Sequence, residues 1–462
     1  MPNDRFSNFD DDIRNLVLHF ERTVLSGHPQ FFDVDELETI IDYYLEVADN
    51  DPLVQAIVYA EQLYPDSLEI KLRRAHWYIA NHKFDRALPL LLSLEERDPD
   101  NTDIAYSLGV LYGEMGNSER AIDYYLMAAA DGWQTGRVYD NIAEEYYKLH
   151  RFDDAILYYR KALASDDHDE DLLYNYIDTC EQAGGDSVQQ AASFLHDYAL
   201  QHPYSKQAWY CLGCALSDLA LYDRAEEALE LALAIDKHYT LAYRELAYAQ
   251  ENNGRVPQAA STLLRTLDSD PDPSTVYSDL GQLYARHDNL PAAVSYLRKA
   301  LELNPANPDA QAALAVCCLR SGDLSMAKAC AEKAQVLDPD NPDALYCIAT
   351  LADIDGDITL AYDLFNQLLD SDRCLEAHCR FYTLFLYSHH DYNTLEAFAL
   401  DSLQSFPHDP FYSSYLAAAY FRSNRYNRLR QILPDVNPSL LHDICPEMWL
   451  NSHLAPIMPP LS

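Results

Sequence analysis

Three short stretches of this 462-residue chain carry residue types that could do chemistry. The first is QAWYCLGCAL, residues 207–216, which holds Cys211 and Cys214, the chain's only Cys-x-x-Cys. Two cysteines at that spacing make a redox dithiol or half of a zinc site. A redox pair gains thiolate character from a helix N-terminus, and a zinc site needs two further ligands. No second pair has matching spacing. The second stretch is His389-His390-Asp391, two imidazoles beside a carboxylate, a set that suits a transition metal. The third is the acidic run DDHDED at residues 166–171, which has the composition of a calcium loop. An EF-hand needs Gly at its sixth position, and here Asp171 is followed by Leu172. The chain has no phosphate-cradling Gly loop, no nucleophile elbow and no His-Glu-x-x-His. An enzyme is not expected.

Composition narrows the partners. The chain has 74 acidic and 33 basic residues, a formal net charge of −41, and is 48% hydrophobic. That hydrophobic share supports a packed core and excludes a disordered acidic tail. Binding to nucleic acid or an anionic membrane is disfavoured, because both need clustered Lys and Arg. Basic proteins or peptides are favoured, with steering that weakens as salt rises. The first twelve residues, MPNDRFSNFDDD, lack the apolar core of a signal peptide, and no run of about 18 apolar residues occurs. Ten scattered cysteines fit reduced thiols, so a cytoplasmic location is expected.

The elements that position these residues emerge from an internal repeat. Ala87, Ala121 and Ala155 recur at a spacing of 34, as do Ala191, Ala225, Ala259, Ala293, Ala327 and Ala361, followed by Leu395 and Leu429. One step of 36 marks two inserted residues near Gly184 and Gly185. An apolar-small pair lies thirteen residues before the anchor, as in Leu108-Gly109, Leu212-Gly213 and Leu280-Gly281, where a small residue lets two helices approach closely. Asn307-Pro308-Asp309 and Asn341-Pro342-Asp343 are helix starts: Asn caps, Pro takes the first helical position and Asp complements the dipole. A turn slot between the paired helices is filled by Gly116, Gly184, Gly254, Gly322, Gly356, Asp288 and Asn424, and also by His82, His150 and His390. These are residues that tolerate a left-handed backbone, which gives His390 a structural role in place of a metal-binding one.

The pattern resembles the tetratricopeptide repeat, whose 34-residue helix-turn-helix unit carries a Trp, Leu-Gly, Tyr, Ala, Ala, Pro signature. Trp209, Leu212-Gly213, Ala225, Leu229 and Ala232 match it, as do Tyr277, Leu280-Gly281, Tyr284, Ala293, Ala300 and Pro305. The resemblance implies an all-α fold, an α-solenoid (right-handed superhelix) of about twelve repeats over residues 34–437. Residues 1–33 are read as an N-terminal capping helix, with Phe9, Ile13, Leu16, Val17, Phe20 and Val24 on one stripe. Residues 438–462 are read as a capping helix and Pro-rich tail. In this frame Cys211 and Cys214 are the sixth and ninth residues of a first helix, about a turn beyond its first residue, so activation by its N-terminal dipole should be weak.

The family binds ligands on the inner surface of its first helices, at the second, fifth, sixth, ninth, twelfth and thirteenth positions of each repeat. Carried over, these positions give Tyr106, Asp140, Asn141, Glu144, Tyr174, Asn175 and Asp178 in the earlier repeats. Later repeats contribute Tyr210, Arg244, Tyr248, Asp279, Tyr346, Phe381 and Tyr415. The implied surface is acidic and Tyr-rich, and Tyr offers large contact area with a hydrogen-bonding tip. The expected function is a non-enzymatic scaffold or adaptor for basic or amphipathic protein segments, with no cofactor. The alternatives are a thiol or metal protein centred on Cys211 and Cys214, and a peptide-sensing regulator. Arg422, Arg425, Arg428 and Arg430 fall in eleven residues without a carboxylate, either a dock for an acidic partner or a solvated end face.

Overall fold

The repeat frame becomes helix because most pairs start on a capping side chain and turn on a left-handed residue. Asn101 Oδ1 accepts from the backbone N–H of Asp103 and Ile104, each at 3.1 Å. Ser205 Oγ accepts from Ala208 N at 3.1 Å, Asn307 Oδ1 from Ala310 N at 3.0 Å and Asn341 Oδ1 from Ala344 N at 3.1 Å. These bonds satisfy N–H groups that a helix start leaves without an intrahelical acceptor. Between the paired helices, φ is positive at every residue of the expected turn slot, His82, His150 and His390 included. Ala220 also occupies the slot with φ 55°, a residue the sequence reading did not select.

The computed structural model describes residues 11–26, 31–47, 49–131, 135–165, 170–268, 272–371 and 373–450, and among these there is helix but no strand. Twelve helix pairs follow one another, from Val34–Glu46 with Asn50–Leu63 to Pro410–Arg422 with Tyr426–Ile432. The first helix of each pair is called A and the second B. The helix Asp11–Ser26 precedes them and buries Val17 and Phe20, whose ring meets Phe32 and Tyr59 edge to face. Phe9 of the expected stripe lies outside the described residues, as does most of the 166–171 run.

The chain divides into two compact units, residues 1–253 and 254–462. The first holds the leading helix, six pairs and the A helix Thr240–Asn252. The second holds Val256–Leu264, five further pairs and the short helices Pro438–Ile444 and Glu447–Leu450. In both units every anchor from Ala87 to Leu429 is fully buried. The small residue of each apolar-small pair sits where A meets B. A Cβ on Gly213 would fall 2.5 Å from Leu229 Cγ, and one on Gly281 would fall 2.5 Å from Leu297 Cγ. Within each unit A helices also pack on the next A helix, as Leu68–Ala80 does on Thr102–Glu114 and Glu376–Ser388 on Pro410–Arg422. A ladder of A helices therefore lines one face within each unit. Among the described residues no helix is long and apolar enough to cross a membrane.

Candidate functional site

In the first unit the A helices Leu68–Ala80, Thr102–Glu114 and Thr135–Lys148 border a cavity of about 710 Å³. Tyr106 stands in its wall, held from two sides. Its hydroxyl accepts from Asn141 Nδ2 at 3.1 Å, and the Arg137 guanidinium lies 5.6 Å from its ring centroid. Arg73, across the cavity, is neutralised by a two-point contact with Asp42 (2.9 and 2.8 Å) and by Glu38 at 3.1 Å. Ser107 Oγ donates to the Asp103 carbonyl at 2.7 Å, which makes His76 Nε2 the donor in its 2.7 Å contact with Ser107 Oγ. Desolvation, with Arg73 and Arg137 nearby, pushes the His76 pKa down to about 4, so the ring is neutral at physiological pH.

Carboxylates gather at the far wall. Glu145 is buried; its Oε1 takes the Lys148 ammonium at 2.6 Å, and its Oε2 has no hydrogen-bond partner. Gly113 makes room for it, since a Cβ there would come within 2.9 Å of Oε1. Glu144 projects beside it, with a pKa raised by desolvation and by Glu145, against the pull of Lys148. Glu144 and Lys148 also line an adjoining cavity of about 330 Å³ with Tyr147, Tyr159, Asn175, Asp178 and Thr179. There the Tyr147 hydroxyl donates to Asp178 Oδ2 at 2.9 Å.

Five of the residues selected from sequence, Tyr106, Asn141, Glu144, Asn175 and Asp178, thus meet in two adjoining cavities. Asp140 is half-buried on the same helix as Asn141 and lines neither. Tyr174 and Tyr210 sit further along, rings 5.9 Å apart, with Tyr239 5.3 Å from Tyr210 and hydrogen-bonded to the Tyr174 hydroxyl. Arg244 and Tyr248 are exposed on Thr240–Asn252, and Asp279 is half-buried in the second unit on Pro273–Arg286. Tyr346, Phe381 and Tyr415 line a separate cavity of the second unit. Arg73, His76 and Lys148 were not selected from sequence, although they hold sixth, ninth and thirteenth positions of their repeats. Glu181 and Asp218, at twelfth and thirteenth positions, form an acidic pair beside Cys211; burial and Asp218 raise the Glu181 pKa to about 7.

The chemistry-bearing stretches resolve differently. Cys211 is fully buried, and burial with the Glu181 charge pushes its thiol far above the ordinary range. Burial and Glu245 do the same to Cys214. Neither thiol is poised as a nucleophile. His389 Nε2 meets Asp353 Oδ1 at 2.6 Å, while His390 makes the turn. No group of three or more His, Cys, Asp or Glu among the described residues is arranged to hold a metal ion. The arginine run is not a free basic patch. Arg422 pairs with Glu447 at 2.8 Å, and Arg425 and Arg428 both engage Glu396.

Models of the tetratricopeptide repeat match residues 72–134, 136–169, 220–283 and 284–354, together about half of the chain. The TPR repeat-containing protein YpiA of Bacillus subtilis (strain 168) is 22% identical over 285 residues, covering 54% of this chain and 66% of that protein. The chain therefore spans just under two thirds of that relative's length. Among solved structures, the APC/C hetero-tetramer Cut9-Hcn1 aligns over 96% of this chain and 93% of its own, at 14% identity and a TM-score of 0.43. The human IFIT1 dimer with m7Gppp-AAAA aligns over 74% and 93%, at 16% identity and 0.38. YrrB, described as a TPR protein with an unusual peptide-binding site, aligns over 39% and 93%, at 19% identity and 0.28.

Proposed function

The chain belongs to the tetratricopeptide repeat family, and on that premise we propose that it is a non-enzymatic scaffold holding segments of partner proteins against its A helices. The observation that carries this reading is the pair of adjoining cavities that share Glu144. Their cations are largely committed within the wall: Arg73 to Glu38 and Asp42, Lys148 to Glu145. Asp103, Glu114, Glu144 and Asp178 then leave the surface acidic. Tyr106, fixed by Asn141 and Arg137, supplies a flat apolar ring that needs little further ordering to bind. Such a surface suits a basic or amphipathic segment, and the net charge of −41 steers one toward it. Arg137 adds a donor for a main-chain carbonyl or carboxylate of the bound segment.

Affinity capture from the native cell followed by mass spectrometry tests this. The double variant Glu144→Lys with Asp178→Lys reverses two projecting charges and leaves the buried anchors untouched. We expect it to lose captured partners by roughly tenfold or more, the scale of one or two close charge pairs. Thermal unfolding of the variant checks that the fold is intact. Unchanged capture by a folded variant contradicts the reading.

A further inference from the structure

We propose that the C-terminal end of the second unit is a separate receptor, for a Lys or Arg side chain presented among apolar residues of a partner polypeptide. The inference rests on the scaffold reading and uses none of the residues of the first-unit cavities. The A helices Pro342–Asp355, Glu376–Ser388 and Pro410–Arg422 border a cavity of about 510 Å³, and the short helix Pro438–Ile444 supplies a further wall. Leu440, Asp443 and Ile444 of that helix complete the lining on one side.

Its lining is aromatic and acidic. Phe381 stacks on Tyr346 with ring centroids 4.3 Å apart and planes at 25°, and Tyr387 meets Tyr415 edge to face at 5.5 Å. The Tyr387 hydroxyl is buried and faces the Arg422 guanidinium, which pairs with Glu447. Phe381 and Leu384, one turn apart, are each 38% exposed and form an apolar lip. Asp353 and Asp443 are the charged groups of the lining, which contains no Lys or Arg. Aromatic faces attract cations through the ring quadrupole, and the carboxylates add direct attraction. A long basic side chain also has an aliphatic stem to lay on Leu384, Leu440 and Ile444. An anionic segment meets two carboxylates and no Lys or Arg in the lining, although Asp353 also holds His389 Nε2 at 2.6 Å. The pocket therefore differs from the first-unit cavity, whose wall carries its own cations.

The test uses the full chain carrying Glu144→Lys and Asp178→Lys, which reverses charge in the first-unit cavities, and the second-unit site is read by its own variants. Fluorescence anisotropy follows three labelled, amidated peptides: Leu and Lys at helical spacing, the same with Lys replaced by Glu, and the same with Leu replaced by Ser. The Leu/Lys peptide should bind and the other two should not. Phe381→Ala should weaken binding roughly tenfold, the scale of a cation–π contact with its apolar area. Asp443→Asn should weaken it about threefold, while Asp355→Asn, an exposed carboxylate outside the lining, should leave it unchanged. Phe381 and Asp443 are exposed, so these variants keep the fold, which unfolding midpoints check. Any of these results overturns the proposal: no binding of the Leu/Lys peptide, equal binding of the Leu/Glu or Ser/Lys peptide, or an unchanged dissociation constant in Phe381→Ala. None of these bears on the first-unit cavity, which stands or falls on its own capture experiment.

Discussion

Ala220 and Glu181 show what single residues contribute and how far sequence reveals it. Ala220 holds φ 55°, where a Cβ is strained by about 1–2 kcal/mol, and the backbone freedom of Gly offsets only part of that. Ala220→Gly should therefore raise the urea midpoint, a gain of up to about 1 kcal/mol. The histidine turns at 82, 150 and 390 were legible because Gly, Asn and Asp fill the same slot elsewhere; Ala carries no such signature. Glu181 has a folded-state pKa near 7, from burial and Asp218, against an ordinary value of 4.5. Between those values the folded state binds more protons than the unfolded, so stability falls as pH rises through the window. Glu181→Gln should flatten that slope, raising the urea midpoint at about pH 8 and changing it little at about pH 5. The gain should stay below about 1 kcal/mol, because solvent screens the pair. Glu181 and Asp218 hold groove positions of the frame but were not selected from it, and their mutual repulsion is a matter of distance between helices. The same holds for Cys211: its depth in the helix was readable from the repeat, whereas the Glu181 charge beside it was not.

Elements were the most legible scale, because a helix pair must bury the same face in every repeat. The alanine anchors, the small residues at each A–B crossing and the Asn-Pro-Asp starts all took their expected places. Asn341 illustrates the energetics. It is buried, caps Ala344 N and donates from Nδ2 to Asp309 Oδ1 at 2.9 Å, tying one repeat to the start of another. Asn341→Ala should cost about 1–2 kcal/mol, read as a lower urea midpoint, because it removes both bonds from a buried position. Two features at this scale were not legible. The division after residue 253 falls in a turn whose residues look like any other in the frame. The wall that Leu440, Asp443 and Ile444 add to the second cavity follows from how a short terminal helix packs, which no repeat dictates.

For the whole molecule, charge is the quantity most easily misread along the chain. The arginine run from Arg422 to Arg430 has no carboxylate within it, yet Glu396 and Glu447 arrive from other helices and engage three of the four. The net charge of −41 is real, but its consequence depends on where carboxylates stay unpaired, and the cavities of the A-helix face are such places. Binding there should weaken as salt rises, since exposed charges are screened beyond about 10 Å at 0.1 M. The claim that partner segments lie on the A helices is tested most directly by site-specific photo-crosslinking. Benzoylphenylalanine is placed either at Tyr106, in the cavity wall, or at Leu157, which is 49% exposed on the B helix Phe152–Leu163. Adducts with captured partners should form from position 106 and not from position 157. Adducts from 157 with none from 106 would contradict the account.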